Sequence, residues 1–292
     1  MRKAWTPAFS PFWTERSRTA SSTAVPSAIE RTLAGSWKRL RLGEGKPYAP
    51  AIPSEGVKLI GLKKEGKSVS VQFYGCQLRC GYCTHLKQPR TEHELQEVLE
   101  LIADPKVEEV YIGGAEPTVQ KKELLELLRR LKRMNRRVTL KTNGHDPQFL
   151  RDSLGLVDMY ILEIKCPWDD LDCMATLTGI SRERAEKYAS SLKQSMEVLR
   201  GAKVRVWIRV IPGYVTLDKV ERLGDQIAGT ATEVYLIQFL SVPENDAPFD
   251  GIDIPSPAEG EMVAMARRLL EFVPNVYVRG RDFKSDFRAG RQ

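Results

Sequence analysis

From Val57 onward, short apolar or alternating runs take turns with segments of helical period, and this order constrains the fold more than any other feature of the 292 residues. Val57–Leu62 and Ser68–Phe73 flank the polar turn Lys64–Gly66 and read as an entry hairpin. Val110–Ile112, Val138–Leu140, Met159–Ile164, Val204–Val210 and Val234–Phe239 read as buried strands. Five segments read as helices: Glu92–Ala103 after a Thr91 cap, Lys121–Met134, Arg182–Leu199, Leu217–Ile227 and Ala258–Phe272. In the second of these, Leu124, Leu127, Leu128 and Leu131 fall on one face. Repeated strand-helix units require parallel strands with helices outside, so the body is α/β, and periodicity leaves an open doubly wound sheet or a barrel. Polar residues cluster just after the first strands of the parallel set, at the carboxyl edge where barrel sites form.

The sharpest chemical signal sits after Ser68–Phe73. The segment Gly75-Cys76-Gln77-Leu78-Arg79-Cys80-Gly81-Tyr82-Cys83 has C-x3-C-x2-C spacing on a loop. Three thiolates so close can ligate three corners of a cubane iron-sulfur cluster and leave the fourth iron open. A structural zinc site needs four closed ligands, and here the fourth would have to be His85, Cys166 or Cys173. Spacing alone leaves both readings. Five cysteines are an odd number, which argues against a secreted disulfide framework and for thiols kept reduced in the cytoplasm.

This loop, with Tyr82 just before the last cysteine, resembles the signature of the radical S-adenosylmethionine (SAM) superfamily. Two further segments agree in order. Ile112-Gly113-Gly114-Ala115-Glu116-Pro117 is similar to that family's Gly-Gly-Glu-Pro element, with alanine as its third small residue, and Lys141-Thr142-Asn143-Gly144 is similar to its Thr-Asn-Gly element. The resemblance covers roughly residues 57–280. It implies a partial (β/α)6 TIM-like barrel carrying a 4Fe-4S cluster on Cys76, Cys80 and Cys83. SAM would bind the open iron through its amino and carboxylate groups, with Gly113, Gly114 and Glu116 at the methionine amino group. It also implies the chemistry: one electron from the reduced cluster breaks a C–S bond of SAM, and the 5′-deoxyadenosyl radical takes hydrogen from a substrate held close and dry. Glu116 has a second reading, as a capping carboxylate near Thr118.

Leu162-Glu163-Ile164-Lys165, Leu177-Thr178-Gly179 and Val206-Trp207-Ile208-Arg209-Val210-Ile211-Pro212-Gly213 resemble the glycyl-radical-enzyme activases, including those of pyruvate formate-lyase and anaerobic ribonucleotide reductase. That branch implies that Lys165 and Arg209 lie near SAM. The expected catalytic set is thus Cys76, Cys80, Cys83 and Lys165. The expected cofactor set adds Tyr82, Gly113, Gly114, Glu116, Thr142, Asn143, Glu163, Arg209 and Gln238. Such activases usually carry aspartate where Lys141 and Glu163 stand, and a histidine where Gln238-Phe239-Leu240 stands. In the activases, acids at the first two positions help hold a monovalent cation. Because Lys141 and Glu163 each adjoin a strand-end motif, the expectation is that the Lys141 ammonium pairs with Glu163 in place of that cation.

Cys166 and Cys173 read as buried thiols or, with other donors, as ligands of an auxiliary cluster. His85, His93 and His145 show no ligand spacing, and His145 is positioned to line the pocket. Residues 1–47 carry nine Lys and Arg against three Glu, a net +6 of the chain's +7, together with five aromatics. Within the expected extension 1–56, that segment reads as an arm packed on the body, a docking arm for RNA or protein, or an organellar transit peptide. The barrel domain is expected over 57–292. No uncharged apolar run approaches the roughly 20 residues needed to span a bilayer. The sequence thus points to a cytoplasmic enzyme acting on a glycine of a partner protein, with flavodoxin or ferredoxin as electron donor. RNA, a nucleotide or another polypeptide are the other substrates, and a non-catalytic metal-cluster protein that binds RNA is the alternative of another class.

Overall fold

The computed structural model describes residues 56–240 and 254–290. All lie within the unit Ser54–Gln292. Of the expected extension, residues 1–55 lie outside the described residues.

The entry hairpin forms from β1 (Val57–Glu65) and β2 (Ser68–Phe73), antiparallel, with Glu65 opposite Ser68 across the tight turn. The segment after it departs from expectation. Thr91–His93 is not a helix start but a short strand, β3, paired antiparallel on the free side of β1. Its backbone groups satisfy an edge that would otherwise stand open. The helix α1 (Leu95–Ile102) begins later, where Glu94 and Glu97 close a reciprocal capping box.

The body then alternates as the periodicity demands. β4 (Glu109–Gly114) leads to α2 (Lys121–Arg133), β5 (Arg137–Thr142) to α3 (Pro147–Ser153), and β6 (Met159–Glu163) to α4 (Leu171–Thr178) and α5 (Arg182–Val198). β7 (Val204–Val210) is followed by α6 (Leu217–Ile227), β8 (Glu233–Gln238) by α7 (Glu259–Leu269), and β9 (Asn275–Arg279) by the hairpin strand β10 (Lys284–Arg288). β2, β4, β5, β6, β7, β8 and β9 run parallel in that spatial order. The sheet, β10-β9-β8-β7-β6-β5-β4-β2-β1-β3, does not close on itself, so the fold is a partial TIM-like barrel with an open side.

Burial alternates along the strands, although parallel sheets usually bury both faces. Val204, Val206, Ile208 and Val210 of β7 are fully buried, whereas Arg205, Trp207 and Arg209 between them are half-buried. The first set packs with Leu124, Leu127, Leu128 and Leu131 of α2 and their counterparts in one continuous core under the helices. Ile161 and Tyr235 are buried yet stand outside that core, on the opposite, inner face. Part of this inner face is filled: Tyr235 stacks on Tyr277 at 4.6 Å, and the guanidinium groups of Arg205 and Arg279 lie 4.2 and 5.3 Å from the Tyr235 ring. At the carboxyl ends of the strands the inner face opens into a cavity. Among the described residues no helix is long and apolar enough to cross a membrane.

Candidate active site

The cysteine loop leaves the end of β2 and is anchored from two sides. The Ala115 N–H donates to the Phe73 carbonyl and the Glu116 N–H to the Gly75 carbonyl, both at 2.9 Å, which fastens the end of β4 to the root of the loop. Gly114 permits this approach. Its φ is +99°, and a Cβ there would sit 2.5 Å from the Phe73 oxygen. The second anchor is Gly179, the left-handed cap that ends α4 at φ +62°. A Cβ on it would lie 2.2 Å from the Arg79 carbonyl oxygen, and the Arg79 N–H donates to the Thr178 carbonyl at 2.8 Å. The segment Leu177-Thr178-Gly179 is therefore a clamp on the cysteine loop.

Behind the loop stands a buried carboxylate. Glu116 is fully buried, and its Oε1 accepts from the Thr118 hydroxyl at 2.5 Å, the Thr118 N–H at 3.2 Å and the Thr142 hydroxyl at 2.6 Å. Its Oε2 accepts from the Asn143 N–H at 2.7 Å. It thus caps the turn Pro117–Gln120 and ties the end of β4 to the end of β5. Asn143 carries the connection onward. Its amide donates to Cys76 Sγ at 3.7 Å, its Oδ1 accepts from Gln77 at 3.0 Å, and its carbonyl accepts from the Tyr188 hydroxyl at 2.8 Å.

The facing wall is charged. Glu163, at the end of β6, meets Lys141 Nζ with Oε2 at 2.6 Å and Lys165 Nζ with Oε1 at 2.5 Å. The Lys141–Glu163 pair is the one expected from the sequence, and the Lys165–Glu163 pair is an addition to it. Burial works against ionisation of Glu163, but the Lys141, Lys165 and Arg209 cations prevail and hold its carboxyl well below the usual range. Burial likewise opposes the Lys165 ammonium, and Glu163 with the neighbouring Tyr82 and Cys80 keeps it charged. The Lys141 ammonium lies 5.2 Å from the Trp207 ring centroid, and Lys165 lies 5.6 Å from that of Tyr82.

Together these groups line a cavity open to solvent at its mouth. Cys76, Cys80 and Cys83 share it with Tyr82, Gly114, Thr142, Asn143, Glu163, Lys165 and Arg209, ten of the expected residues. Gly113 and Glu116 stand behind the lining, whereas Gly114 and Ala115 form part of it. Gln238 is placed elsewhere. Its amide donates to the Pro257 carbonyl and accepts from the Arg281 N–H, both at 2.9 Å, so it joins two loops outside the lining. The histidine expected at the pocket is not the one found there. His145 is not among the lining residues, its Nδ1 lying 3.2 Å from Asn143 Oδ1 and 3.4 Å from the Thr118 hydroxyl, whereas His85 lines the cavity. Burial, with Lys141 nearby, pushes His85 down to about 4, so the ring is neutral at pH 7. Its position two residues after Cys83 was the available signal, but the path of the loop decides where the ring points.

The residues present fit the cofactors the motifs imply. The three thiols are free of disulfides and sit on one loop at the cavity wall. Among the described residues no three His, Cys, Asp or Glu side chains are grouped as round a single metal ion. A cubane does not require that, because each of its irons takes its own thiolate. The wall of the space beside the loop carries both cations and hydrogen-bonding groups.

A partial parallel barrel with a three-cysteine loop after its first parallel strand and polar strand ends around one cavity defines a class of cluster-bearing α/β enzymes. The radical SAM superfamily matches residues 71–227, more than half the chain, and the protein belongs to it. Its cofactors are accordingly a 4Fe-4S cluster and SAM. A Methanocaldococcus jannaschii protein named as a glycyl-radical enzyme activating enzyme is 24% identical over 238 residues, covering 78% of this chain and 96% of the relative. A 7-carboxy-7-deazaguanine synthase of Methanospirillum hungatei is 30% identical over 131 residues, covering 41% of this chain and 55% of the relative. Among solved structures, Streptococcus suis SuiB bound to S-adenosylmethionine shares the fold with a TM-score of 0.53 at 19% identity, covering 71% of this chain and 48% of that one.

Proposed function

We propose that this radical SAM enzyme abstracts hydrogen from a glycine of a partner protein, as a glycyl-radical-enzyme activase. The observation that carries the reading is the match along nearly the whole length of a relative with that name. In this reading Cys76, Cys80 and Cys83 hold three irons of the cluster. Gly114, Thr142, Asn143, Lys165 and Arg209 receive SAM, while Glu116 and Gly113 shape the wall behind them. When bound, the cluster supplies the electron that cleaves SAM. The chain's own part is positional: Glu163 fixes the Lys165 ammonium, Asn143 fixes the loop at Cys76, and Tyr82 with His85 narrows the approach. Flavodoxin or ferredoxin is the proposed electron donor, and residues 1–47 are the proposed docking arm for the partner or for RNA. Expected site residue Gln238 drops out of the proposed SAM-binding set, because both ends of its amide hold loops.

A second reading, a purine-like small-molecule substrate, is favoured by the identity shared with the deazaguanine synthase. One experiment separates them. Under anaerobiosis the reconstituted enzyme, given SAM and dithionite, should release 5′-deoxyadenosine. With the protein encoded beside it, it should produce the doublet of a glycyl radical in the electron paramagnetic resonance spectrum. Cleavage of SAM without that doublet, accelerated instead by a purine nucleotide, would favour the second reading.

A further inference from the structure

The sulfur of Cys76 faces two N–H donors. The Leu78 N–H points at it from the cysteine loop at 3.3 Å, and the Asn143 side-chain amide points at it from the end of β5 at 3.7 Å. Gln77 Oε1, also 3.7 Å away, accepts the thiol hydrogen. A metal-bound thiolate has lost that hydrogen, so the two N–H groups are the donors left to it. The direction of the Asn143 amide is set by its other end. Asn143 Oδ1 accepts from the Gln77 side chain at 3.0 Å and from the His145 N–H at 3.1 Å, which leaves Nδ2 toward the sulfur. A flipped amide would put Nδ2 against both donors and an oxygen against the thiolate.

The main chain of Asn143 is held just as firmly. Its N–H donates to Glu116 Oε2 at 2.7 Å, and its carbonyl accepts from the Tyr188 hydroxyl at 2.8 Å. Asn143 and Tyr188 are 6% and 5% exposed, so water has little access to either. Tyr188 belongs to a stripe of donors on α5. Arg184, one turn before it, donates to the Gln77 carbonyl at 3.0 Å, and Ser195, two turns after it, donates to the Gly144 carbonyl at 2.7 Å. Residues with this spacing recur on one helix face, so α5 grips the cysteine loop and the turn after β5 together. The stripe lies outside the motifs that carry the family resemblance.

We propose that the Asn143 amide tunes the cluster through the Cys76 sulfur, raising its reduction potential, and that Tyr188 is the positioning residue that keeps the amide there. This rests on the reading that Cys76 holds one iron, and it gives Asn143 a task besides lining the SAM cavity. One-electron reduction adds a negative charge that the cluster shares with its thiolates, and N–H dipoles aimed at a thiolate favour the reduced form. The effect is strong where water is scarce, because few other dipoles can turn to screen the added charge.

The full chain is reconstituted without oxygen, and iron is counted in the wild type, Asn143→Leu, Tyr188→Phe and Ser195→Ala. Without SAM, each is then titrated with titanium(III) citrate and mediator dyes, and the signal of the reduced cluster is followed by electron paramagnetic resonance. Leucine is branched like asparagine but has no donor. Asn143→Leu should lower the ratio of reduced to oxidised cluster at a fixed potential by about tenfold, which is about 59 mV for one electron. Tyr188→Phe, which loses only a hydroxyl, should move the midpoint in the same direction by less. Ser195→Ala is the control: it removes the donor to the neighbouring carbonyl and should leave the midpoint where it is. An unmoved midpoint in Asn143→Leu would overturn the proposal. So would a shift in Ser195→Ala equal to that of Asn143→Leu, since any loosening of the turn would then suffice. Where Asn143→Leu fails to hold iron, Tyr188→Phe decides, and a midpoint equal to that of the wild type overturns the proposal. Iron near about four per chain with an unmoved midpoint counts against the tuning and not against the cysteine ligands, whose loss removes the iron itself.

Discussion

Glu163 is the residue on which the electrostatics of the cavity turn, because each of its oxygens holds one ammonium. Lys141→Met removes one of them and should destabilise the protein by about 1–3 kcal/mol at pH 7, measured by urea unfolding. The pH dependence has a definite sign. Since the folded carboxyl titrates below its unfolded value, its contribution is complete above about pH 4.3 and is lost as pH falls toward the folded value. The gap between wild type and variant should therefore be full at neutral pH and narrow in acid. The same pair makes SAM cleavage by the wild type equal in choline and potassium buffers, while Lys141→Asp should acquire potassium dependence; strong potassium activation of the wild type would contradict this. Glu116→Gln tests the opposite wall. An amide cannot accept the four hydrogen bonds that the carboxylate accepts, and the loss should be about 3 kcal/mol, read as a Tm lowered by roughly 6–12 °C. The Lys141–Glu163 pair was legible in the sequence because both residues adjoin strand ends, whose side-chain direction the β period fixes. His85 and His145 were not, because each stands on a loop whose path is set by tertiary contacts.

At the scale of elements, the turn after β4 and the cap of α4 hold the cysteine loop by close backbone approach. Gly114→Ala should cost about 3 kcal/mol or more, since a positive φ and a backbone clash coincide there. Gly155→Ala is the control. Its φ of +78° is similar, nothing lies within 4 Å of the added carbon, and it should cost about 1–2 kcal/mol. Thermal unfolding of the two variants measures the difference, and equal losses would mean that the close approach contributes nothing. The buried strands and the long helices could be read from sequence because their apolar period runs over many residues. α3 and α4 span only seven and eight residues, marked chiefly by their aspartate caps. β10 has a single apolar residue, Phe287, and its pattern Lys-Ser-Asp-Phe-Arg is that of a charged edge. β3 was masked by Thr91, which serves equally as a helix cap or a β-branched strand residue.

For the molecule as a whole, an open parallel barrel places every strand end on one rim, so motifs far apart in sequence meet around one cavity. That much follows from the order of elements and three short motifs. The substrate does not, because the inner face beyond the cavity is shaped by pairs such as Arg205 with Tyr235 and Arg279 with Tyr277, contacts that periodicity does not encode. The central claim is that Cys76, Cys80 and Cys83 alone carry the cluster on which SAM cleavage depends. It is tested most directly by iron content and 5′-deoxyadenosine release after anaerobic reconstitution of the wild type and of each cysteine-to-alanine variant. The wild type, Cys166→Ala and Cys173→Ala should hold about four irons per chain, while Cys76→Ala, Cys80→Ala and Cys83→Ala should lose the cluster and all cleavage. Full iron and undiminished cleavage in any of those three, or iron well above four that falls in Cys166→Ala or Cys173→Ala, would contradict it.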